Sequence, residues 1–454
     1  MKSLITLVAF CLVLLVPNIA EAQIGRRFPS ERKLVKDPLT GTMLTFLTST
    51  PTGDSKIYQT HNQWTSDGNW LIFRSGRVKG EALAVNEKTG EMVQVTEGGY
   101  IGMLNVARLS MKLYFMRDPN KRADDRQFSP ASLQIVEVDL EKLFADSLAG
   151  KLKSAAAYQR VCGTTPPEIK AGGDMALDGD ETQVYFRVGR EEAARHLPPG
   201  TKIESNFGPR NMGAGPSGIA AMNVKTGAIK HVISVPFQVG HIQTNPWVPG
   251  EIVFCWETGG KSPQRTWTVL ADGSGLRPLY RESEYEWVTH EAVISKDEVA
   301  IAIMGHRQIP GSSKTIPAGT SFAGINPGQE PEWGPSGTRE KPTGLGIVNL
   351  RTREMTIVGQ TPSGSGLWHV TGSPDGRWAV GDDFERNIYL IDRRTREMIL
   401  LSAGHKRTAA DHPHPTMSPD GTKIQIQSAM LSADNRSLNI CIIPVPEEWL
   451  KRKY

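Results

Sequence analysis

Residues 369–376 read His-Val-Thr-Gly-Ser-Pro-Asp-Gly, and residues 414–421 read His-Pro-Thr-Met-Ser-Pro-Asp-Gly. Within each stretch, Pro and Asp favour a tight turn and Gly accepts a positive φ. A short apolar run follows each one, Trp378-Ala-Val380 in the first case and Ile424-Gln-Ile426 in the second. Runs of this kind after a turn are typical of buried β-strands. Each stretch therefore predicts a turn that leads into a strand.

The same pattern recurs along the chain. Five copies open on a histidine and two degenerate copies do not, and they begin at or near His61, Asn105, Gly172, His241, His290, His369 and His414. Successive copies start about 45 to 79 residues apart, and the shorter spacings are those of one four-stranded propeller blade, with insertions in the others. One Ser-Pro-Asp-Gly turn is common and predicts nothing. Seven ordered copies predict an all-β fold, a seven-bladed β-propeller.

The segment before the first copy completes this prediction. Residues 42–48, Thr-Met-Leu-Thr-Phe-Leu-Thr, have strand character. We expect them to supply the outer strand of the last blade and so close the ring, which leaves few strand edges exposed. Helical patterns are rare, and Glu137–Leu148 and Pro446–Arg452 each predict a short helix. Residues 23–454 are expected to form one domain, since a propeller takes this length as a single unit.

The first 22 residues predict a secretory signal peptide. Met1-Lys2 is followed by an apolar stretch over 4–16 and by Ala20-Glu-Ala22, a small-residue cleavage site. The apolar stretch is short for a membrane span, and the sequence contains no other candidate span. We therefore expect an exported protein, periplasmic or secreted, with no membrane anchor after cleavage.

Charge and cysteine content narrow the possible partners. The formal net charge of +4 over 454 residues does not indicate a nucleic-acid partner, and it is compatible with a polyanionic sugar. Three cysteines remain after residue 22, and an odd number argues against a full disulfide framework. Cys255 and Cys441 lie in strand-like runs and are expected to be buried thiols, whereas a disulfide that involves Cys162 stays open.

The histidines are expected to meet at one end of the ring. The innermost strand of each blade lines the central channel, so a residue just before it lies at the channel mouth. Histidine has that position in five copies, and His412 lies on the same side of an extended segment as His414. A lone histidine there would only cap a turn, but six buried imidazoles need partners. The six residues expected to converge are His61, His241, His290, His369, His412 and His414.

Three of these histidines predict a metal site. Neutral imidazole is the commonest metal ligand in proteins, and His290, His412 and His414 could together hold an ion with open coordination positions. Such a site suits a catalytic divalent metal, and the ligands alone leave Zn, Mn, Fe and Ni open. No nucleophile elbow, phosphate-binding glycine loop or His-Glu-x-x-His motif competes for the catalytic role.

At these residues the sequence resembles the oligogalacturonate lyases, a family of seven-bladed β-propellers. The resemblance covers most of the chain after residue 22. It is carried by five motifs, which are Asp37-Pro-Leu-Thr-Gly-Thr42, Gly240-His-Ile-Gln243, His290-Glu291, Ser373-Pro-Asp-Gly-Arg-Trp-Ala-Val-Gly-Asp-Asp383 and His412-Pro-His-Pro415.

The resemblance implies cleavage of a uronic-acid-containing, pectin-like glycan by β-elimination, which leaves a 4,5-unsaturated sugar. It implies that His241 is the Brønsted base and that a divalent metal, Mn in the family, is bound by three histidines. Those ligands are His290, His412 and His414, and the side chains expected to contact the substrate are His61, Gln243 and His369.

Two positions depart from the family pattern. The family has a glutamine metal ligand just upstream of the His-Pro-His pair, where this chain has Ala409, and the substitutes in this chain are Gln243, Asp411 and His369. The family also has an arginine in the blade before the base, where this chain has Ser217. Arg210 is the nearest candidate for that catalytic charge.

Two other functions stay open. A glycoside hydrolase or another uronide lyase on the same propeller would share the export signal and the histidines, but a hydrolase would not need the metal. A non-catalytic scaffold of the TolB kind would need the turns, yet it would not need convergent imidazoles.

Overall fold

The computed structural model describes residues 23–120, 132–206, 210–259, 262–282, 287–304, 344–361 and 366–453. The predicted signal peptide lies outside them. The described residues form seven antiparallel sheets, arranged as the blades of a β-propeller. The predicted fold class is therefore confirmed.

The strands follow one another blade by blade. The N-terminal segment contributes β1 (Arg27–Phe28), β2 (Lys33–Lys36) and β3 (Met43–Phe46). Blade 1 continues with β4 (Asp54–Lys56), β5 (Trp70–Ser75), β6 (Ala82–Asn86) and β7 (Met92–Gln94). Blade 2 contains β8 (Ile101–Val106), β9 (Lys112–Arg117), β10 (Gln134–Asp139) and β11 (Gln159–Thr164). Blade 3 contains β12 (Met175–Leu177), β13 (Gln183–Val188), β14 (Ala214–Asn223) and β15 (Ile229–Phe237).

The remaining blades repeat this arrangement. Blade 4 contains β16 (Val239–Thr244), β17 (Glu251–Trp256), β18 (Thr266–Leu270) and β19 (Arg277–Pro278). Blade 5 contains β20 (Trp287–Ser295), β21 (Glu298–Met304), β22 (Gly344–Asn349) and β23 (Met355–Gly359). Blade 6 contains β24 (Val370–Gly372), β25 (Trp378–Asp382), β26 (Ile388–Asp392) and β27 (Met398–Ser402). Blade 7 contains β28 (Thr416–Met417), β29 (Lys423–Ser428) and β30 (Asn439–Pro444).

The N-terminal strands close the ring. In blade 7 the order is β28-β29-β30-β3-β2, and Thr45 and Phe46 lie opposite Ile442 and Cys441. The segment 42–48 therefore supplies a strand of the last blade, as predicted, and β2 adds a further strand outside it. β1 likewise adds a fifth strand to blade 1 beside β7. Both additions cover a sheet edge that would otherwise be exposed.

The hydrophobic core is divided among the blade interfaces. One cluster of buried apolar side chains lies between each pair of neighbouring blades. Alternation along a strand sends successive side chains to opposite neighbours. In β17, Ile252 and Phe254 pack toward blade 3 and Val253 packs toward blade 5. Each fully buried side chain of this size stabilises the fold by about 1.5–3 kcal/mol.

The helices are short and peripheral. They are α1 (Leu140–Leu148), α2 (Arg190–Arg195) and α3 (Glu447–Leu450), with 3₁₀ turns at Ala155–Ala157 and Pro167–Ile169. α1 begins after Glu137–Asp139, which still belong to β10, and the Asp139 side chain caps it by accepting a hydrogen bond from the Lys142 amide. None of the helices in the described ranges has the length and apolar character needed to cross a membrane.

Three buried thiols lie in the blades. Cys162, Cys255 and Cys441 are all free and buried. The expectation for Cys255 and Cys441 is confirmed, and the possibility of a disulfide with Cys162 is closed. Burial raises the pKa of all three thiols, and that of Cys162 to about 11, so they are protonated at neutral pH.

Candidate active site

A cavity of about 470 Å³ opens at one mouth of the central channel. Among the described residues that line it are five of the chain's 10 histidines. We call it the histidine cavity, after His241, His290, His369, His412 and His414.

Two of these side chains, His241 and His414, reach the cavity from backbone that departs from regular strand geometry. The pairing of β16 with β17 shifts register between Gly240 and Gln243, so His241 lies in a bulge. Its φ is 49°, and that of His414 is 50°. Non-glycine residues adopt this left-handed conformation at a cost, and such strain is concentrated at functional sites. The bulge turns the His241 ring away from the regular direction of the strand and toward the cavity.

Strand alternation positions another pair. His290 and Glu291 are neighbours in β20, so their side chains leave opposite faces of the strand. His290 faces blade 6, where its ring centre lies 4.3 Å from that of His369 and 4.7 Å from that of Trp368. Glu291 is fully buried and faces blade 4 and His241.

His241 is held among three charged side chains. Its Nδ1 lies 2.9 Å from Oε1 of Glu291, and its Nε2 lies 3.4 Å from Oε2 of Glu257. Nε of Arg265 donates to Oε2 of Glu291 at 2.9 Å, and Nη2 of Arg265 lies 3.3 Å from the His241 Nδ1. The carboxylate contact is the shorter one, so Nδ1 carries the proton and donates it to Glu291. In the neutral imidazole, Nε2 is then the acceptor nitrogen, on the side of the ring that faces Glu257 and the cavity.

The electrostatics of this cluster favour proton uptake by His241. Burial lowers the pKa of His241, but the hydrogen bond and charge of Glu291 and the charge of Glu257 outweigh it, so the pKa is raised above its ordinary value. Burial raises the pKa of Glu257, yet Arg265 and His241 bring it down to about 2. The Arg265 charge, against burial, likewise lowers the pKa of Glu291. Both carboxylates are therefore ionised.

The opposite side of the cavity is built from imidazoles around one aspartate. Nδ1 of His369 lies 3.2 Å from each carboxylate oxygen of Asp382, and Nδ1 of His412 lies 3.2 Å from Oδ2. Nδ1 of His414 lies 2.8 Å from Oε1 of Gln59, and its Nε2 lies 3.1 Å from Oδ2 of Asp411. The ring centres of His369 and His414 are 3.8 Å apart.

Burial and crowding keep His290, His369 and His414 neutral. Burial and the neighbouring His369 hold the pKa of His290 well below its usual range. Burial and His414 lower the pKa of His369 to about 3, although Asp382 opposes them. Burial also lowers the pKa of His414. Neutral imidazoles are the form that binds a metal.

The described residues offer two groups of side chains that could hold a divalent cation. In each, the ligand atoms lie within 4.8 Å of one another, and the groups are His241, Cys255 and Glu257, and His369, Asp382 and His412. The first contains a protonated thiol and contacts the Arg265 guanidinium, which repels a cation. The second has an ionised carboxylate between two imidazoles. A further observation favours this side, because the buried Nδ1 of His290 has no hydrogen-bond partner among the described residues and is available to a ligand.

The predicted ligands therefore line one cavity together with His369, and Asp382 contacts both His369 and His412. Asp411 also lines the cavity, whereas Gln243 does not. Ala409, where the family has a glutamine, is almost completely buried against Ala429 and Leu438.

Arg210 lines the histidine cavity as an exposed side chain, and its charge lies close enough to Glu257 to lower the pKa of that carboxylate. It passes over Gly259, where an added Cβ would approach its side chain to 2.6 Å. Ser217 is buried in blade 3 and does not line this cavity.

His61 does not join the other histidines. The innermost segment of blade 1 pairs with β5 at Lys56 and again at Trp64, and the chain between them turns, with the His61 amide donating to the Tyr58 carbonyl. This turn brings Tyr58 to the cavity instead, with its ring centre 5.1 Å from that of His241. The His61 ring contacts the Thr60 hydroxyl and the Met175 carbonyl, both at 2.8 Å.

Like the His61 ring, the Gln243 side chain forms its hydrogen bonds with other groups of the protein. Its Oε1 accepts from the Val293 amide at 2.8 Å and its Nε2 donates to the Glu291 carbonyl at 3.4 Å. It therefore ties blade 4 to blade 5, and it holds the strand that carries Glu291.

Of the charged partners of His241, Glu291 stands in a motif that the sequence singles out, His290-Glu291. Glu257 and Arg265 lie in none of those motifs. Only the docking of blade 5 on blade 4 brings Arg265 and Glu291 together. Asp382 does have a signal, since it lies in the motif that runs from Ser373 to Asp383, just after the predicted apolar run Trp378-Ala-Val380.

Two solved structures are similar to this chain over nearly its whole length. An oligogalacturonate lyase in complex with manganese matches with a TM-score of 0.69 and 17% identity, over 95% of this chain and 100% of that one. This chain has the same fold. An oligogalacturonate lyase from Vibrio parahaemolyticus matches with a TM-score of 0.67 and 19% identity, over 94% of this chain and 100% of that one. No protein-family model and no curated protein matches the sequence.

Proposed function

We propose that the protein is a lyase that cleaves a uronic-acid-containing oligosaccharide or polysaccharide, of the oligogalacturonate type, by β-elimination. The observation that carries the proposal is the setting of His241, an imidazole whose Nδ1 donates to Glu291 and whose Nε2 faces a polar cavity. The shared fold with two oligogalacturonate lyases supports the same reaction class.

His241 acts as the base in this reaction. The C5 proton of a uronide lies next to a carboxylate and is only weakly acidic, so it needs a base aimed at it and charge stabilisation nearby. Nε2 of His241 takes the proton, the C4–C5 double bond forms, and the C4–O4 bond breaks with its electron pair on O4, which takes a proton from water. Glu291 holds the ring in one tautomer and stabilises the imidazolium that results, as a buried carboxylate does for other catalytic histidines.

Arg210 binds the carboxylate of the reacting sugar. Among the described residues that line the cavity, the cationic side chains are Arg210 and Arg265. Arg265 is almost completely buried and is paired with Glu291. The exposed Arg210 is therefore the guanidinium free to meet an incoming anion, and it neutralises charge that the transition state increases.

The side of the cavity opposite His241 holds a divalent metal. His290, His412 and His414 are its proposed ligands, with His369 and Asp382 in place of the glutamine that Ala409 replaces. When bound, the metal supplies Lewis-acid stabilisation to the substrate carboxylate. Manganese is the first candidate, because a similar fold binds it.

A hydrolase fits the cavity less well. Glycoside hydrolases need a carboxylic acid that keeps its proton, beside a second carboxylate. Among the described residues lining the cavity, the carboxylates are Glu257 and Asp411, and both have lowered pKa values, Glu257 through Arg265 and Asp411 through His414, each against burial. Neither is a proton donor at neutral pH. A binding scaffold would need no strained histidine held between two carboxylates.

Export completes the proposal. The sequence of residues 1–22 predicts a signal peptide, so we propose that the lyase acts in the periplasm or outside the cell on glycan fragments. Nucleic acid and membrane have no role in this proposal.

The decisive experiment is a panel of uronide oligosaccharides incubated with purified protein and a divalent metal. We expect ultraviolet absorbance from the conjugated double bond of the unsaturated product. New reducing ends without that absorbance would identify a hydrolase instead.

A further inference from the structure

A second cavity, of about 250 Å³, opens on blade 3. Its lining includes two cations, Arg187 and Arg190, and three small or neutral side chains, Ala214, Ser217 and Gln238. We call it the arginine cavity. Ser217 is nearly fully buried, and its hydroxyl donates only a long hydrogen bond, 3.5 Å, to the Val188 carbonyl. The small side chain at this position leaves the space open.

The arginine cavity lies at the same end of the ring as the histidine cavity. The Arg187 amide donates to the Asp174 carbonyl at 3.2 Å, and the Asp174 carboxylate accepts from the amide of Ile242, next to His241. Gln238 lines the arginine cavity, and its carbonyl accepts from the amide of Glu257, which lines the histidine cavity.

The two cavities are also close. Gln238 and His241 are three residues apart in sequence, so the chain between them spans at most about 10 Å. A molecule that occupies the histidine cavity and extends toward blade 3 therefore reaches the arginine cavity within a short distance.

The guanidinium groups of both arginines form few hydrogen bonds within the protein. Nη1 of Arg187 donates to the Val239 carbonyl and Nη2 of Arg190 to the Ala214 carbonyl, and both hydrogen bonds are long, at 3.4 Å. Neither side chain forms an ion pair with a carboxylate of the described ranges. Arg187 is half-buried and Arg190 is exposed. A guanidinium has five N–H donors, in a fork that matches a carboxylate.

We propose that the arginine cavity is a second subsite, which binds a carboxylate of a sugar further along the same uronide chain. This inference rests on the proposed function, since a polyuronide carries one carboxylate on every sugar. Cleavage at the histidine cavity would then leave a neighbouring uronate carboxylate within reach of Arg187 and Arg190. The protein would bind chains that span both cavities more tightly than shorter ones.

The test is a binding measurement by calorimetry, in a His241→Ala background that does not consume the ligand. The probes are tetragalacturonate and its methyl-esterified form, which has the same length without the negative charges. We expect R187A/R190A to weaken tetragalacturonate binding roughly five- to tenfold, as for the loss of partly exposed ion pairs. Binding of the ester should not change.

Two further variants serve as controls. R190A alone changes an exposed side chain and should produce part of the loss with an unaltered melting temperature. R195A removes a cation near the other end of α2, where it pairs with Glu192 at 2.8 Å, and it should leave both affinities unchanged. Unchanged tetragalacturonate affinity in folded R187A/R190A would overturn the subsite, and so would equal losses for the acid and the ester.

The lyase assignment is tested separately, by product absorbance with His241 intact. Absence of unsaturated product from every uronide, together with arginine-dependent binding, would reject the lyase and keep the subsite. Formation of the unsaturated product, together with an unchanged tetragalacturonate affinity in R187A/R190A, would reject the subsite alone.

Discussion

The two sides of the histidine cavity use the same side chain in opposite surroundings. His241 contacts two ionised carboxylates, and its pKa is raised against the effect of burial. The His369 ring packs against those of His290 and His414, which also contact the Trp368 and Tyr58 rings, and burial lowers the pKa of all three histidines.

The proposed base and the proposed metal ligands are thus one residue type in two different electrostatic surroundings. When two titratable groups of one site have pKa values shifted in opposite directions, the shifts indicate which role each group has. A carboxylate behind the ring makes an imidazole a better proton acceptor, whereas crowding among imidazoles keeps them neutral and able to bind a cation.

The largest effect is expected from His241→Ala. Loss of a positioned general base lowers turnover by about 10³-fold, and the fold should persist because the ring packs at a cavity and not in the core. The measurement is the initial rate of product absorbance, with circular dichroism as the check on folding. His231→Ala, on the outer side of blade 3, is the matched control and should retain full activity. Near-normal turnover of His241→Ala would show that His241 is not the base.

Metal removal tests the other side. Treatment with a chelator should lower activity about 10²-fold, and added Mn²⁺ should restore it, because the proposed Lewis acid is removed and then returned. His412→Ala should bind Mn²⁺ weakly in a calorimetric titration, whereas His241→Ala should bind it as the unaltered protein does. Full activity in protein shown to be free of metal would contradict this division.

The orienting residue Gln59 should show a smaller effect on the same side. Gln59→Leu removes the contact that fixes the His414 ring and keeps a similar volume. Such changes behind a ligand weaken metal binding about 10- to 100-fold. The titration should report this loss, while the acid side of the pH–rate profile stays where it is. A shift of that profile would mean that the two sides are coupled.

Glu257→Gln should give the subtlest change. Glu257 helps to raise the pKa of His241, so its loss lowers that pKa. The base form of His241 accumulates as pH rises through its pKa, and activity rises with it. The acid limb of kcat/KM should therefore move to lower pH in Glu257→Gln, with folding unchanged. An acid limb that does not move would show that Glu291 alone governs the proton affinity of His241.

Much of the fold could be predicted from the sequence because the information is local and repeated. A turn of Ser-Pro-Asp-Gly type and the apolar run after it specify one strand, and seven copies specify the ring. The closing strand at 42–48 was predictable for the same reason, since strand character is local and a ring needs closure. His61 shows the limit, because the extra turn between Lys56 and Trp64 changes which side chain reaches the cavity without disturbing the repeat.

The architecture and the residue type at the channel mouth follow from the sequence alone, because hydrophobic periodicity and turn chemistry act over a few residues. The surroundings on which the proposed choice of base and metal ligands rests come from the tertiary structure. That choice depends on Glu291, Arg265 and Asp382 arriving from neighbouring blades or strands, and proton affinity responds to charges within a few ångströms in space, however far apart they lie in the chain.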